Sequence, residues 1–267
     1  MPIIMNIFKQ LETFYKRLYS AVTLLTVVPM PGWQLDFTRT THYFPWVGVI
    51  LSFIYLFLFL IFDGIVSSFM LAFLLILSDG FLTGGLHLDG FSDWIDGIYS
   101  RKEGDDLRAV LKDSNIGAIG AAGLVFLIAG KVIFLREILM SEFSLVWILF
   151  FPWFSRILMY LVIVFFPYPS GKKGLGQICQ EDYSIVGHLW AVMSGGVLLL
   201  ALYFFFPEYL TGTILAKLII AAVISGFLTY LFIKRLSIKL GGVNGDGYGA
   251  CCEFSQIMVL LMGGLLI

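Results

Sequence analysis

Tyr43–Phe62 reads YFPWVGVILSFIYLFLFLIF, an unbroken apolar run without a single charge. An α-helix rises about 1.5 Å per residue, so a run of this length crosses the roughly 30 Å hydrocarbon core of a bilayer. Six further stretches read the same way: Gly64–Leu86, Ile116–Leu135, Phe143–Phe166, Ser184–Phe206, Tyr209–Ile233 and Ala250–Ile267. The expected fold class is therefore all-α: a polytopic integral membrane protein with about seven transmembrane helices. Composition agrees, with 59% hydrophobic and only 13% charged residues in a chain of 267. A soluble domain carries about twice that charge and could not bury so much apolar surface. With no internal repeat, low-complexity tract or long linker, residues 1–267 read as a single transmembrane catalytic domain.

The net charge of −1 gives no sign of a nucleic-acid partner. Cys179, Cys251 and Cys252 have neither CxxC nor zinc spacing and read as small apolar residues. The N-terminal stretch places Ile4, Ile7, Phe8, Leu11, Phe14, Tyr15 and Leu18 at helical spacing, opposite Lys9, Glu12, Lys16 and Arg17. That is an amphipathic helix for the membrane interface, not a signal peptide. The apolar run after it, Ala21–Val28, is too short to span and ends at Pro29 and Pro31.

Lys and Arg collect in alternate hydrophilic segments: the N-terminal stretch, the segment with Arg101, Lys102, Arg108 and Lys112, then Lys172 and Lys173, then Lys234, Arg235 and Lys239. The intervening connections are short and poor in both, with Lys131 and Arg136 as counter-examples. The positive-inside rule places the N-terminus and the longer loops in the cytoplasm, the protein being multi-pass in the cell (inner) membrane. Every polar motif falls on that same side, although the topology was read from Lys and Arg alone.

The densest motif is TGGLHLDGFSDWIDG, Thr83–Gly97. Asp89, Asp93 and Asp96 are spaced i, i+4, i+7, within roughly 60° of one another on a helix. Stacked carboxylates repel, and a divalent cation reverses the repulsion. Hard oxygen donors without thiolate suit Mg²⁺ or Mn²⁺. The alternative is a solvated helix face. His87 points away from that stripe on a continuous helix, which makes it a first-turn or loop residue that contacts substrate or positions a ligand. Gly84, Gly85, Gly90 and Gly97 either admit a phosphorylated ligand close to the backbone or let helices pack closely.

The second motif, LKDSNIGAIG (Leu111–Gly120), puts Asp113 or Ser114 at the cap of the third span, beside Lys112. A helix N-terminus with a nearby Lys suits a phosphate, plain capping being the alternative. The third, GGVNGDGYGACCE (Gly241–Glu253), carries a small-residue stripe of Gly242, Gly245 and Gly249, with Asp246 and Glu253 near it. The stripe reads as a helix seam, and an acid inside it calls for a cation partner or a metal. Arg156 lies deep in the fourth span, where it pairs with an acid or with a ligand phosphate. His42, His188, Lys131, Lys217 and Asp79 read as interfacial or packing residues.

Together these point to phosphoryl or phosphodiester chemistry at a membrane face. His87, Asp113 and Asp246 are the catalytic candidates. Asp89, Asp93 and Asp96 are the candidate metal ligands. Lys112, Ser114, Arg156, Gly84, Gly85, Gly242 and Asn244 are candidates for holding substrate phosphates. No G-x-x-x-x-G-K-[ST] loop is present, which argues against an NTPase.

At these residues the chain resembles the cobalamin synthase family, the adenosylcobinamide-GDP ribazoletransferases. The resemblance rests on GGLHLDGFSDWIDG (Gly84–Gly97), KDSNIGAIG (Lys112–Gly120) and GGVNGDGYGA (Gly241–Ala250), with lesser matches at Thr26–Pro31, Phe44–Gly48, Arg156 and Tyr168–Gly176. The family pattern differs at Ser92, Trp94 and Ile95, where small residues are common, and at Asn115 and Asn244, where Arg and Thr are common. The resemblance implies transfer of phosphocobinamide from adenosylcobinamide-GDP to a ribose hydroxyl of α-ribazole or its 5′-phosphate. GMP leaves, Mg²⁺ is the cofactor, and the acids of the first motif are its ligands. It leaves room for a homo-oligomer or for association with other enzymes of cobalamin assembly. Two rivals compete. A CDP-alcohol phosphotransferase shares the Asp93-x-x-Asp96-Gly97 opening, but the rest of its signature is missing. An ion transporter would need two matching hydrophobic halves, which the chain lacks.

Overall fold

A computed structural model describes residues 2–30, 35–111, 115–169 and 185–267. Among the described residues the regular structure is helical throughout. Helix α1 (Pro2–Leu25) joins the expected interfacial helix and the short apolar run after it into one element. Its last turns bury Ser20, Ala21, Val22 and Leu25, while Lys16 and Glu12 pair at 2.6 Å on the exposed side. A 3₁₀ turn over Thr40–Tyr43 leads into α2 (Phe44–Phe62), with Pro45 in its first turn, where the missing N–H costs nothing.

Helix α2 is the spine of the bundle, and α7 (Ser144–Phe165) lies along it. The contact is made backbone to backbone. A Cβ at Gly48 would stand 2.7 Å from Trp153 Cα and 2.9 Å from Pro152 O, so only glycine fits. Ser52 Oγ then donates across the seam to Leu149 O at 2.7 Å. Around this pair stand α6 (Ala118–Leu139), α8 (Ile185–Phe205), α9 (Gly212–Leu240) and α10 (Gly245–Leu266). These six helices are each long and apolar enough to cross a membrane. The protein is an all-α, multi-pass membrane protein.

The second expected span is not a straight helix. Helix α3 (Ser68–Leu82) has 15 residues, about 22 Å, and falls short of a bilayer core. At Thr83-Gly84-Gly85 the chain turns by 90° into α4 (Leu86–Tyr99). The turn needs left-handed backbone at two consecutive positions, φ 62° at Gly84 and 71° at Gly85, which glycine adopts without strain. Apolar pattern alone runs Gly64–Leu86 together; the paired glycines decide the break.

Two other boundaries move. Helix α9 has 29 residues and carries Lys234, Arg235 and Lys239, expected in a loop, on its last turns. Helix α10 begins at Gly245, so the glycine motif Gly245–Gly249 forms its first turns. The ends of α3, α7 and α9 share one face of the bundle with the starts of α2, α6, α8 and α10. Helix α4 lies across that face, followed by the short α5 (Gly104–Val110).

Candidate functional site

The site is the crossing of α4 over the starts of α10 and α6. Gly90 makes the first crossing: a Cβ there would meet Asp246 O at 2.7 Å and Asp246 Cα at 3.0 Å. Gly249 makes the reciprocal contact, with its position for a Cβ 3.1 Å from His87 Cα. Gly247 lies against the Trp94 ring. Trp94 is fully buried and fills the space between the two helices. This close approach brings Asp246, in the first turn of α10, up to the acid stripe of α4.

Asp89 is exposed and Asp93 half-buried on the open face of α4. Asp93 is pushed up to about 6, by burial first and then by the carboxylates of Asp89, Asp246 and Asp96. Four acids therefore share one small region, three of them acting on Asp93. Asp246 Oδ2 accepts a hydrogen bond from Asn244 Nδ2 at 2.6 Å. Asn244 also caps α10, accepting from Gly247 N at 3.3 Å. Among the described residues nothing stands within 4 Å of a Cβ at Gly245, beside Asp246.

Asp96 has a different task. Its two carboxylate oxygens accept from the amides of Gly117 (2.9 Å) and Gly120 (2.8 Å), capping α6 from another helix. The N-terminus of α6, expected to hold a substrate phosphate, thus already holds an anion. A Cβ at either Gly117 or Gly120 would run into Asp96. Of the residues expected there, Lys112, Asp113 and Ser114 lie outside the described residues.

Other expectations are corrected. Gly242 is buried, and its amide donates to Ser237 O at 2.9 Å, closing α9; beside it Val243 N donates to Pro167 O at 2.8 Å. Its N–H is not presented to a phosphate. Gly84 and Gly85, expected to admit a ligand close to the backbone, spend their amides on Phe81 O and Gly80 O and leave space at the turn. Arg156 is fully buried inside the bundle and pairs with Asp79, Nη2 to Oδ1 3.4 Å. It is an internal ion pair rather than a phosphate ligand.

That pair belongs to a larger network which the sequence reading underestimated. Asp79 Oδ1 also accepts from Tyr55 OH at 2.6 Å. Lys131 Nζ donates to Glu253 and, at 2.5 Å, to Gln256 Oε1, and stands 3.7 Å from Asp79 Oδ2. Asp79, Lys131, Arg156 and Glu253 are all buried. They tie α3, α6, α7 and α10 together with two positive and two negative charges. Asp79 and Lys131 were read as packing residues; a charge deep in an apolar span was the signal available for both. Glu253 has the cation partner expected of it. Lys131, now accounted for, no longer counts against the topology, and Arg136 pairs with Glu137 at 2.5 Å.

His87 is in the first turn of α4, as expected, on the face opposite the acids. It is buried under the α10 crossing, and neither ring nitrogen has a hydrogen-bond partner among the described residues. Also among the described residues, no three His, Cys, Asp or Glu side chains converge into a ready metal cage.

Fold and site together define a class: a multi-pass α-helical membrane protein with an acidic, ligand-accessible site across one end of its bundle. Comparison with known sequences narrows it. The chain belongs to the cobalamin-5-phosphate synthase (CobS) family, whose model matches residues 17–264. It is 34% identical to the adenosylcobinamide-GDP ribazoletransferase of Desulfitobacterium hafniense (strain Y51), over 92% of this chain and 95% of that one. The protein of that name from Thermoanaerobacter pseudethanolicus is 29% identical, over 92% and 96%. That from Fusobacterium nucleatum subsp. nucleatum is 28% identical, over 90% and 94%. No solved structure matches the chain.

Proposed function

We propose that the α4–α10 crossing is the active site of an adenosylcobinamide-GDP ribazoletransferase that requires Mg²⁺. The relatives' names give the reaction. The observation that carries the site assignment is the crowding of Asp89, Asp93, Asp96 and Asp246 at one crossing; burial first, and then the three neighbouring carboxylates, raise Asp93 to about 6. Such an excess of negative charge fits a hard divalent cation, and the donors are carboxylates without thiolate. Mg²⁺ is commonly held by one or two carboxylates, with substrate phosphates and water completing the set, so a full protein cage is not needed.

In this reading a ribose hydroxyl oxygen of α-ribazole, or of its 5′-phosphate, bonds to the phosphorus that carries cobinamide. The bond from that phosphorus to the GMP oxygen breaks, and GMP leaves with the electron pair. Bound Mg²⁺, or Mn²⁺, supplies neutralisation of charge on the phosphates. Asp89 and Asp93 hold it. Asp246, steadied by Asn244, accepts the hydroxyl proton. Asp96 contributes by fixing α6 to α4. Gly85 and Gly245 keep the backbone bare where phosphates approach, and Lys112 and Ser114 on the adjoining segment supply phosphate contacts. His87 supports α4 from below. The distribution of Lys and Arg over the connections supports a cytoplasmic position for this face, on the inner membrane.

The test uses purified protein in nanodiscs with adenosylcobinamide-GDP and α-ribazole. Release of GMP that needs Mg²⁺, stops with EDTA, and is lost in Asp89→Asn and Asp93→Asn is expected, with a cobalamin product. No release by folded wild-type protein with metal would sink the assignment.

A further inference from the structure

Between α3 and α6 the wall of the bundle opens into a groove of about 460 Å³. Phe73, Leu77 and Phe81 of α3 and Ile128 of α6 wall it, and all four are exposed on the outer side of the bundle. The groove therefore opens sideways, toward lipid. Asp79 and Lys131, both buried, lie at its inner end, and Gly84–Gly85 bound it toward α4. One turn beyond Gly85 stands Asp89.

Two features keep this space empty. Gly80 lines the groove from the middle of α3, yet a Cβ there would meet only Leu88 Cδ1, at an ordinary 3.6 Å. Packing does not require glycine at that position, and helix propensity disfavours it. At Gly85 a Cβ would meet nothing within 4 Å among the described residues. The groove is thus left open at the end nearest the acids. The Lys131 ammonium has three donors. Glu253 and Gln256 take two, and the remaining neighbour, Asp79 Oδ2, is 3.7 Å away, too far for a good hydrogen bond.

We propose that this groove is the subsite for the benzimidazole base of the ribazole acceptor. The inference rests on the transferase reading above. A pocket of this size and apolar lining, with one donor at its end, fits a flat methylated bicyclic base that has an acceptor nitrogen. The corrinoid is far larger than the groove, and the guanine nucleotide is charged along much of its length. With the base between α3 and α6, its ribose falls at Gly84–Gly85, and the nucleophilic hydroxyl is directed to the acids of α4. The ring nitrogen accepts from Lys131. The acceptor reaches the site laterally, so its apolar base need not cross the acidic face.

The experiment fills the groove from each wall, with Gly80→Leu and, independently, Ile128→Phe. Both variants are expected to keep the wild-type melting temperature. The KM for α-ribazole is expected to rise tenfold or more, with kcat and the KM for adenosylcobinamide-GDP within twofold of wild type. Free 5,6-dimethylbenzimidazole is expected to compete with α-ribazole in the wild type and to fail in both variants. Folded variants with an unchanged KM for α-ribazole would overturn the proposal. So would a rise confined to the other substrate, or a loss of co-purifying phospholipid as the only effect. Equilibrium dialysis of 5,6-dimethylbenzimidazole against wild type and Gly80→Leu reads groove occupancy without turnover. It therefore separates failure of this inference from failure of the transferase assignment.

Discussion

Two groups of charges stand close together in this molecule, and they are built on opposite principles. In the bundle, Asp79, Lys131, Arg156 and Glu253 balance one another and are sealed from solvent. At the bundle end, Asp89, Asp93, Asp96 and Asp246 share one sign and face outward in part. A neutral set is balanced without a metal; its strength goes into holding four helices in one arrangement. An open set of like charges opposes folding, and persists only where something else makes use of it. The contrast assigns structure to the first group and chemistry to the second.

The largest effect that separates them is on rate. Asp93→Asn removes a proposed metal donor and also relieves repulsion. GMP release is expected to fall about 10²–10³-fold, while thermal stability without metal stays level or rises. A variant that loses stability in step with activity would place Asp93 with the structural group instead.

The mirror experiment is Lys131→Met. It leaves Glu253 buried without its cation, and a loss of about 3–5 kcal/mol in denaturation is expected. Adding Glu253→Gln to that variant removes the stranded charge and is expected to recover much of the loss. A double variant no more stable than Lys131→Met alone would show that the pair is not coupled through the contacts of Lys131 with Glu253 and Gln256. Glu253 acts on folding, so the rate per folded molecule is expected to change far less in Glu253→Gln than in Asp93→Asn, while Lys131→Met is expected also to raise the KM for α-ribazole.

Asp96 sits between the two groups: acidic stripe by sequence, helix cap by geometry. Asp96→Ala removes both acceptors from the start of α6 and is expected to cost about 1–2 kcal/mol. Asn, with one acceptor oxygen, should retain part of that. Equal losses of metal affinity in Asp96→Asn and Asp89→Asn would return Asp96 to the ligand set.

How much of this was legible beforehand depends on how local the cause is. Runs such as Tyr43–Phe62 declare a span within their own length. The i, i+4, i+7 spacing of Asp89, Asp93 and Asp96 declares one helix face. The 90° turn at Gly84–Gly85 was harder, because the apolar pattern continues through it and two backbone angles decide. Asp96 as the cap of α6, Gly242 as the close of α9, and Lys131 as partner of Glu253 were not legible at all. The caps and pairs of Asp96 and Lys131 depend on a residue on a different helix, 21 positions away for Asp96 and Gly117, whereas Gly242 closes onto Ser237 of its own helix. Arg156 was read as a pair or a phosphate ligand, and only the position of Asp79 chooses between them.

The smallest effect is the sharpest comparison, because it needs no substrate. Asp93 is raised from 3.8 to about 6 in the folded protein. A raised carboxyl favours the protonated form in the native state. Its contribution to stability is therefore full below about pH 4 and is lost as pH rises through about 6. Melting in the absence of divalent metal should show the acid cluster weakening the fold from about pH 4 to about pH 7, and Asp93→Asn should flatten that part of the profile. Mg²⁺ should raise the melting temperature at pH 7.5, where the carboxylates are ionised, and do little at pH 5, where a proton occupies Asp93. The Asp79–Lys131–Arg156–Glu253 network, closed to solvent and already neutral, has no reason to respond to Mg²⁺. If Glu253→Gln altered the metal-dependent shift as strongly as Asp93→Asn, the two groups would be one electrostatic unit, and the division between holding helices and binding ligand would fail.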